Sequence, residues 1–185
     1  MTRQLTAAAL CAKAIRTELK KEFPKTKFSV TSENFAGGNA VRIAWTDGPT
    51  GEQIEKYTNK YQYGHFDGMI DCYEYSNNRD DIPQAKYITT RRELAGETTR
   101  YFAEQIAKKV EVEVKDLGDK APFEELYSNW YQIVWKFVRT RDLTDFKELT
   151  QDEIIPCVSD NNGKEVLWSV HWATKEELKQ MMEVA

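Results

Sequence analysis

The stretch YGHFDGMIDC, residues 63–72, puts a histidine, two aspartates and a cysteine close together. Imidazole, carboxylate and thiolate form a zinc-type donor set, and the same groups can act as general acid, general base or nucleophile. The spacing favours a plainer origin. His-x-Asp alone matches no zinc pattern, and Asp67-Gly68 lacks the Asp/Asn series and closing Glu of a calcium loop. Asp-Gly closes bends, which makes His65 a half-exposed turn residue. The other histidine, His171, sits in WSVHW, an alternation that reads as a strand face. Cys72 becomes a nucleophile only if His65 approaches it. On the strand face it shares with Ile70 it reads as a small buried hydrophobe. These residues therefore assign no catalytic position, no metal and no cofactor, and an enzyme is the less favoured expectation. Tyr63, His65, Phe66, Asp67 and Asp71 remain a candidate functional loop, because a turn does not itself require a histidine among aromatics. A hydrolase or metal site around His65, Asp67 and Cys72 stays open as an alternative.

A second group offers charge rather than bond chemistry. Lys13, Arg16 and Lys20 share one predicted helix face, and Lys27 follows shortly after. Such a face contacts phosphates or is simply solvated. Gly37-Gly38-Asn39 is no phosphate loop, since no GxGxxG or GK[ST] occurs. The net charge of -4 is unevenly spread. Residues 1–92 carry 14 basic and 11 acidic side chains, and residues 93–185 carry 12 and 19. Net values of +3 and -7 imply two units with different surfaces.

The elements that must position these residues follow from periodicity and punctuation. Cys11, Ile15, Leu19 and Phe23 recur at i+4, which predicts a helix over 6–23 with Thr6 as N-cap and Pro24 as terminator. Alternation predicts strands over 27–32 and 40–46, joined as a hairpin across a loop at 34–39. Asp47-Gly48-Pro49 breaks the second strand. Thr50 with Gln53 is a capping-box pattern, so a short helix is expected over 51–59. Residues 61–68 read as loop, 69–75 as an edge strand and 85–92 as a β-rich strand. A helix over 96–109 carries Phe102, Ile106 and Val110. Its order (helix, two strands, a third strand, helix) is similar to the double-stranded-RNA-binding fold. The last helix opens GETTRYFAE, though, without the lysine cluster that module presents.

Further on, VEVEV at 110–114 fits either a strand or a continued helix. Pro122 suits the start of a helix to about 138, with a strand from Tyr131 left open as the alternative by the β-branched run there. Residues 154–158 and 166–172 form a hairpin around Asn161-Asn162-Gly163. Thr174 with Glu177 begins a closing helix over 174–184. The expected class is α+β: a small antiparallel sheet with helices on one face, plus an α+β C-terminal extension. The domain boundaries expected are 1–114 and 115–185. The core should include Ile15, Leu19, Phe28, Val30, Val41, Ile43, Trp45, Phe102, Ile106, Trp130, Val134 and Trp168.

At 185 residues and 41% hydrophobic content the chain builds a core despite 30% charged residues. Cys11, Cys72 and Cys157 are odd in number and form no CxxC, as expected of reduced thiols in a cytoplasm. The N-terminal residues carry charges throughout their apolar periodicity and read as neither signal peptide nor membrane span.

AKAIRTELKKEFPKTKFSV, SENFAGGNAVRIAWTDGPT, YQYGHFDGMIDCYEYSN and AKYITTRR together resemble one of the large polyvalent protein-associated domains. The resemblance covers about residues 8–92. It implies a bacterial setting, in long multi-domain proteins of phages and conjugative elements or in small stand-alone proteins. Host proteins of this kind are thought to accompany incoming DNA and act against host defences. The domain itself is implied to be an accessory module without assigned catalytic residues. The resulting expectation is a non-enzymatic interaction protein with a protein partner. A nucleic-acid-binding module using Lys13, Arg16, Lys20 and Lys27 is the alternative.

Overall fold

The computed structural model describes residues 5–109, 112–121 and 129–148, and the backbone of four short strands between 153 and 174. The chain divides into two compact units, Met1–Glu93 and Leu94–Ala185.

In the first unit, α1 spans Ala7–Glu22, with Ala8, Cys11, Ala12, Ile15 and Leu19 buried along one stripe. The Thr6 side chain accepts from the Ala9 N–H at 3.3 Å, as the N-cap pattern predicts. Strands β1 (Ser29–Phe35) and β2 (Gly38–Thr46) pair antiparallel. The expected loop at 34–39 shrinks to a two-residue turn, because Gly37 adopts φ 92° and lets the chain reverse immediately. α2 spans Gly51–Thr58 and carries the complete Thr50–Gln53 capping box. A single 3₁₀ turn at Asn59–Tyr61 follows it.

β3 (His65–Asp67) and β4 (Cys72–Glu74) form a separate antiparallel ribbon. β5 (Tyr87–Glu93) then returns to β2 and pairs with it in parallel, Val41 opposite Ile88 and Trp45 opposite Arg92. The α+β class stands, but the central sheet, ordered β1-β2-β5, is mixed rather than wholly antiparallel. A parallel pair needs a long crossover, and α2 with the β3–β4 ribbon supplies it.

Val30, Val41, Ile43 and Trp45 face one side of this sheet, where they pack with Ile15 and Leu19 of α1 and Ile54 of α2. Each such fully buried side chain contributes on the order of 1.5–3 kcal/mol relative to exposure. Phe28 is only partly buried against this cluster. The turn after β2 is held from inside. Asp47 and Gly48 take φ 52° and 59°, and Arg92 donates to both carbonyls, at 2.9 and 3.0 Å. Trp45 Nε1 donates to the Pro49 carbonyl at 2.9 Å. WTDGP is thus a joint between sheet and helix.

In the second unit, α3 (Gly96–Lys109) and α4 (Trp130–Val138) share a core of Phe102, Ile106, Ile133, Val134 and Phe137. α4 begins at a capping box missed in the sequence, where Asn129 Oδ1 accepts from Gln132 N–H at 3.0 Å and Gln132 answers at 3.1 Å. Residues 122–128, where Pro122 was to start the helix, lie outside the described residues. Of VEVEV, residues 112–114 join neither helix nor ladder. β7 (Cys157–Ser159) and β8 (Glu165–Leu167) pair antiparallel with Val158 opposite Val166, as the expected hairpin requires. β6 (Glu153–Ile154) pairs with β9 (Ala173–Thr174), so Thr174 belongs to a strand rather than to a helix cap. Trp168 and His171, expected on the second hairpin strand, and residues 175–184 of the expected closing helix lie outside the described residues. Among the described residues no helix is long and apolar enough to cross a membrane.

Candidate functional site

The β3–β4 ribbon rises from a base built of side-chain amides. Gln62 donates to the Gly64 carbonyl at 2.6 Å and accepts from Ile88 N–H at 2.8 Å. Buried Gln84 donates to the carbonyls of Lys60 and Asn77, both at 2.8 Å, and accepts from Arg79 N–H at 2.8 Å. Asn77 donates to the Gln62 carbonyl at 2.8 Å. These bonds satisfy backbone groups that a loop leaves open, and they fix where the ribbon emerges.

The register separates the ribbon into two faces. His65 pairs with Glu74 and Asp67 with Cys72, while Phe66 pairs with Tyr73. Directly paired residues share a face, so His65, Asp67, Cys72 and Glu74 lie on one side and Phe66 and Tyr73 on the other. His65 Nε2 is 3.6 Å from Glu74 Oε2, and its Nδ1 is 3.3 Å from Ser76 Oγ. The histidine is thus opposite Glu74, and Cys72 opposite Asp67. Among the described residues no three His, Cys, Asp or Glu side chains are grouped to hold a metal ion.

Two expectations are corrected here. Residues 61–68 were to be loop and 69–75 one strand, yet β3 lies within the first and a turn interrupts the second. Asp67 Oδ1 accepts from the Met69 N–H at 2.8 Å, and Asp71 adopts φ 51°, so the chain reverses where the alternation suggested it ran straight. Cys72 is consequently exposed rather than buried beside Ile70. The reversal leaves Met69 93%, Ile70 62% and Phe66 53% exposed at the tip.

Behind the tip runs a continuous aromatic strip. Tyr63 meets Tyr75 at 6.3 Å, Tyr75 meets Tyr73 at 5.0 Å, and Tyr73 meets Tyr87 at 5.5 Å between ring centres. Phe35 stacks on Tyr87 at 6.2 Å with planes 23° apart. Lys86 Nζ lies 5.0 Å from the Tyr73 ring centre and donates to the Gly37 carbonyl at 3.0 Å. Tyr73 donates its hydroxyl to the Lys86 carbonyl. The turn at 35–38 and the segment at 63–75 therefore meet at one end of the sheet.

Of the expected loop residues, Tyr63, His65, Phe66, Asp67 and Asp71 all belong to this ribbon or its base. Phe35, Met69, Ile70, Tyr73, Tyr75, Lys86 and Tyr87 were missed. The aromatic-acid alternation of CYEY was the available signal, but it does not reveal that Tyr87 lies against Tyr73. Of the basic set, Lys13, Arg16, Lys20 and Lys27 are all exposed. Arg16 donates to the Val30 carbonyl of β1, so part of its donor capacity serves the fold.

Residues 6–99 match the family described as large polyvalent protein associated domain 29. No curated protein and no solved structure matches the chain.

Proposed function

Because the chain belongs to the large polyvalent protein associated domain 29 family, we propose that it is a non-enzymatic accessory module that works by binding another protein. The contact surface in this reading is the tip of the β3–β4 hairpin with the aromatic strip behind it. The exposure of Phe66, Met69 and Ile70 on a ribbon pinned at its base carries the proposal. Leaving a large apolar side chain in water forgoes on the order of 1.5–3 kcal/mol, and a contiguous exposed set is typical of an interaction site. Aromatics and methionine at the centre with charges at the rim are the composition of protein interfaces. The setting proposed is the cytoplasm of a bacterium, in service of a mobile element or against a host defence.

The test compares full-length protein with a Phe66→Ser, Met69→Ser, Ile70→Ser variant as bait in host extract. A partner retained by the first and lost from the second is the expected result. Indistinguishable retained proteins would sink the hairpin reading.

A second reading, nucleic-acid binding along α1, is favoured by the exposure of Lys13, Arg16, Lys20 and Lys27. It predicts a mobility shift with DNA or RNA at ~50 mM salt that fades as salt rises. Lys13→Glu with Lys20→Glu should abolish the shift.

A further inference from the structure

We propose that the hairpin tip docks in a groove on α1 of a second copy of this chain. The inference rests on the hairpin being a binding element, and it names the occupant.

The groove lies in the same unit as the tip, between α1, the 3₁₀ turn and Pro83, with a volume of about 720 Å³. It is an open surface depression rather than an enclosed pocket, which suits a protein segment better than a buried small ligand. Leu10, Ala14, Tyr61 and Pro83 supply its apolar lining, and Lys13, Lys21 and Lys60 its cations. Two carboxylates also line it, and both are answered locally. Glu18 takes Lys60 at 2.6 Å and the Tyr61 hydroxyl at 2.7 Å, and Glu22 is 3.7 Å from Lys21. Lys13 has no carboxylate partner among the described residues, so the rim keeps a positive charge.

The tip is the counterpart. Met69 and Ile70 are exposed at the turn, flanked in the chain by Asp67 and Asp71, and residues 61–78 contain no lysine or arginine. Apolar side chains with an acidic rim suit an apolar groove with a basic rim. The same acidic rim disfavours a phosphate backbone at the tip. Each copy carries both parts, so two copies can exchange tips about a twofold axis or pass them head to tail. In either arrangement the tip and the groove lose their exposed apolar surface together.

Sedimentation velocity on the full chain from about 1 to 200 µM tests this, at low and high salt. A mass above the monomer that grows with concentration and weakens with salt is expected. Two variants at exposed positions then separate the halves of the contact. Met69→Asp with Ile70→Asp removes the tip, and Leu10→Asp with Lys13→Glu removes the groove. Far-UV circular dichroism checks that both remain folded. Each variant alone should be monomeric. An equimolar mixture should associate again, because one supplies the groove and the other the tip. A wild-type chain that stays monomeric overturns the inference, and the extract experiment still decides whether the hairpin binds another protein. Self-association that survives in either variant, or a mixture that does not associate, overturns it as well.

Discussion

Gly64 has no room for a side chain. A Cβ there would lie 1.7 Å from the Glu74 carbonyl oxygen, at the point where β3 leaves its base beside β4. Gly64→Ala should therefore cost about 2–4 kcal/mol or open the ribbon. The denaturation midpoint, with amide exchange at residues 72–76, checks this. Cys11 lies at the opposite extreme: it is buried within the α1 stripe, and burial pushes its thiol from 9.0 up to about 12. The folded chain keeps this proton where the unfolded chain has lost it. The contribution is fully present below pH 9 and is lost progressively as pH rises towards 12. Stability should thus fall from about pH 9 upward, and Cys11→Ala should flatten the slope in urea titrations at a series of pH values. Tyr61 adds to the decline at higher pH, since burial and then its hydrogen bond to Glu18 raise its hydroxyl above 10.0. In a Cys157→Ser background, Cys72 should react with a thiol reagent in the native state and Cys11 only after unfolding, because one is exposed and the other buried.

Elements in this protein are joined by single side chains at their ends. Arg92, on β5, closes the turn between β2 and α2 through the carbonyls of Asp47 and Gly48. Arg92→Ala should cost at least about 2 kcal/mol, because it removes charge-assisted bonds and leaves two turn carbonyls without that donor. Asn129→Ala, which removes the cap of α4, should cost about 1 kcal/mol. Thermal or denaturant unfolding of the two variants ranks these effects. The caps at Thr6 and Thr50 were legible because capping is local: the side chain bonds a backbone N–H three residues on. The Asn129 cap has the same local pattern and was obscured by Pro122, an equally good helix start. The β3–β4 reversal was not legible, because the alternation of 69–75 satisfies a strand template while Asp67 and Asp71 hold a turn.

At the scale of the whole molecule, the change in charge balance near residue 92 coincides with the division after Glu93. A fragment of residues 1–93 contains the entire sheet, α1, α2 and their core. It should fold alone with one cooperative transition, whereas a polypeptide without cooperative unfolding would show that the sheet needs the rest of the chain. The proposed boundary at 115 is tested in the same series by extending the fragment to residue 114. Added stability would place α3 with the sheet in the folding unit.

Residue order by itself determined α1, α2 and α3, the strands of the central sheet and most of the core, because 3.6- and 2-residue periods and caps are written over short distances. It also carried the marks of the family. Tertiary structure alone decided that β5 lies parallel to β2, that Arg92 is the inner brace of WTDGP, and that Phe35, Tyr63, Tyr73, Tyr75 and Tyr87 form one strip. Each of these depends on which distant segments meet. That depends on how the crossover between β2 and β5 packs against the sheet, and no local pattern encodes it.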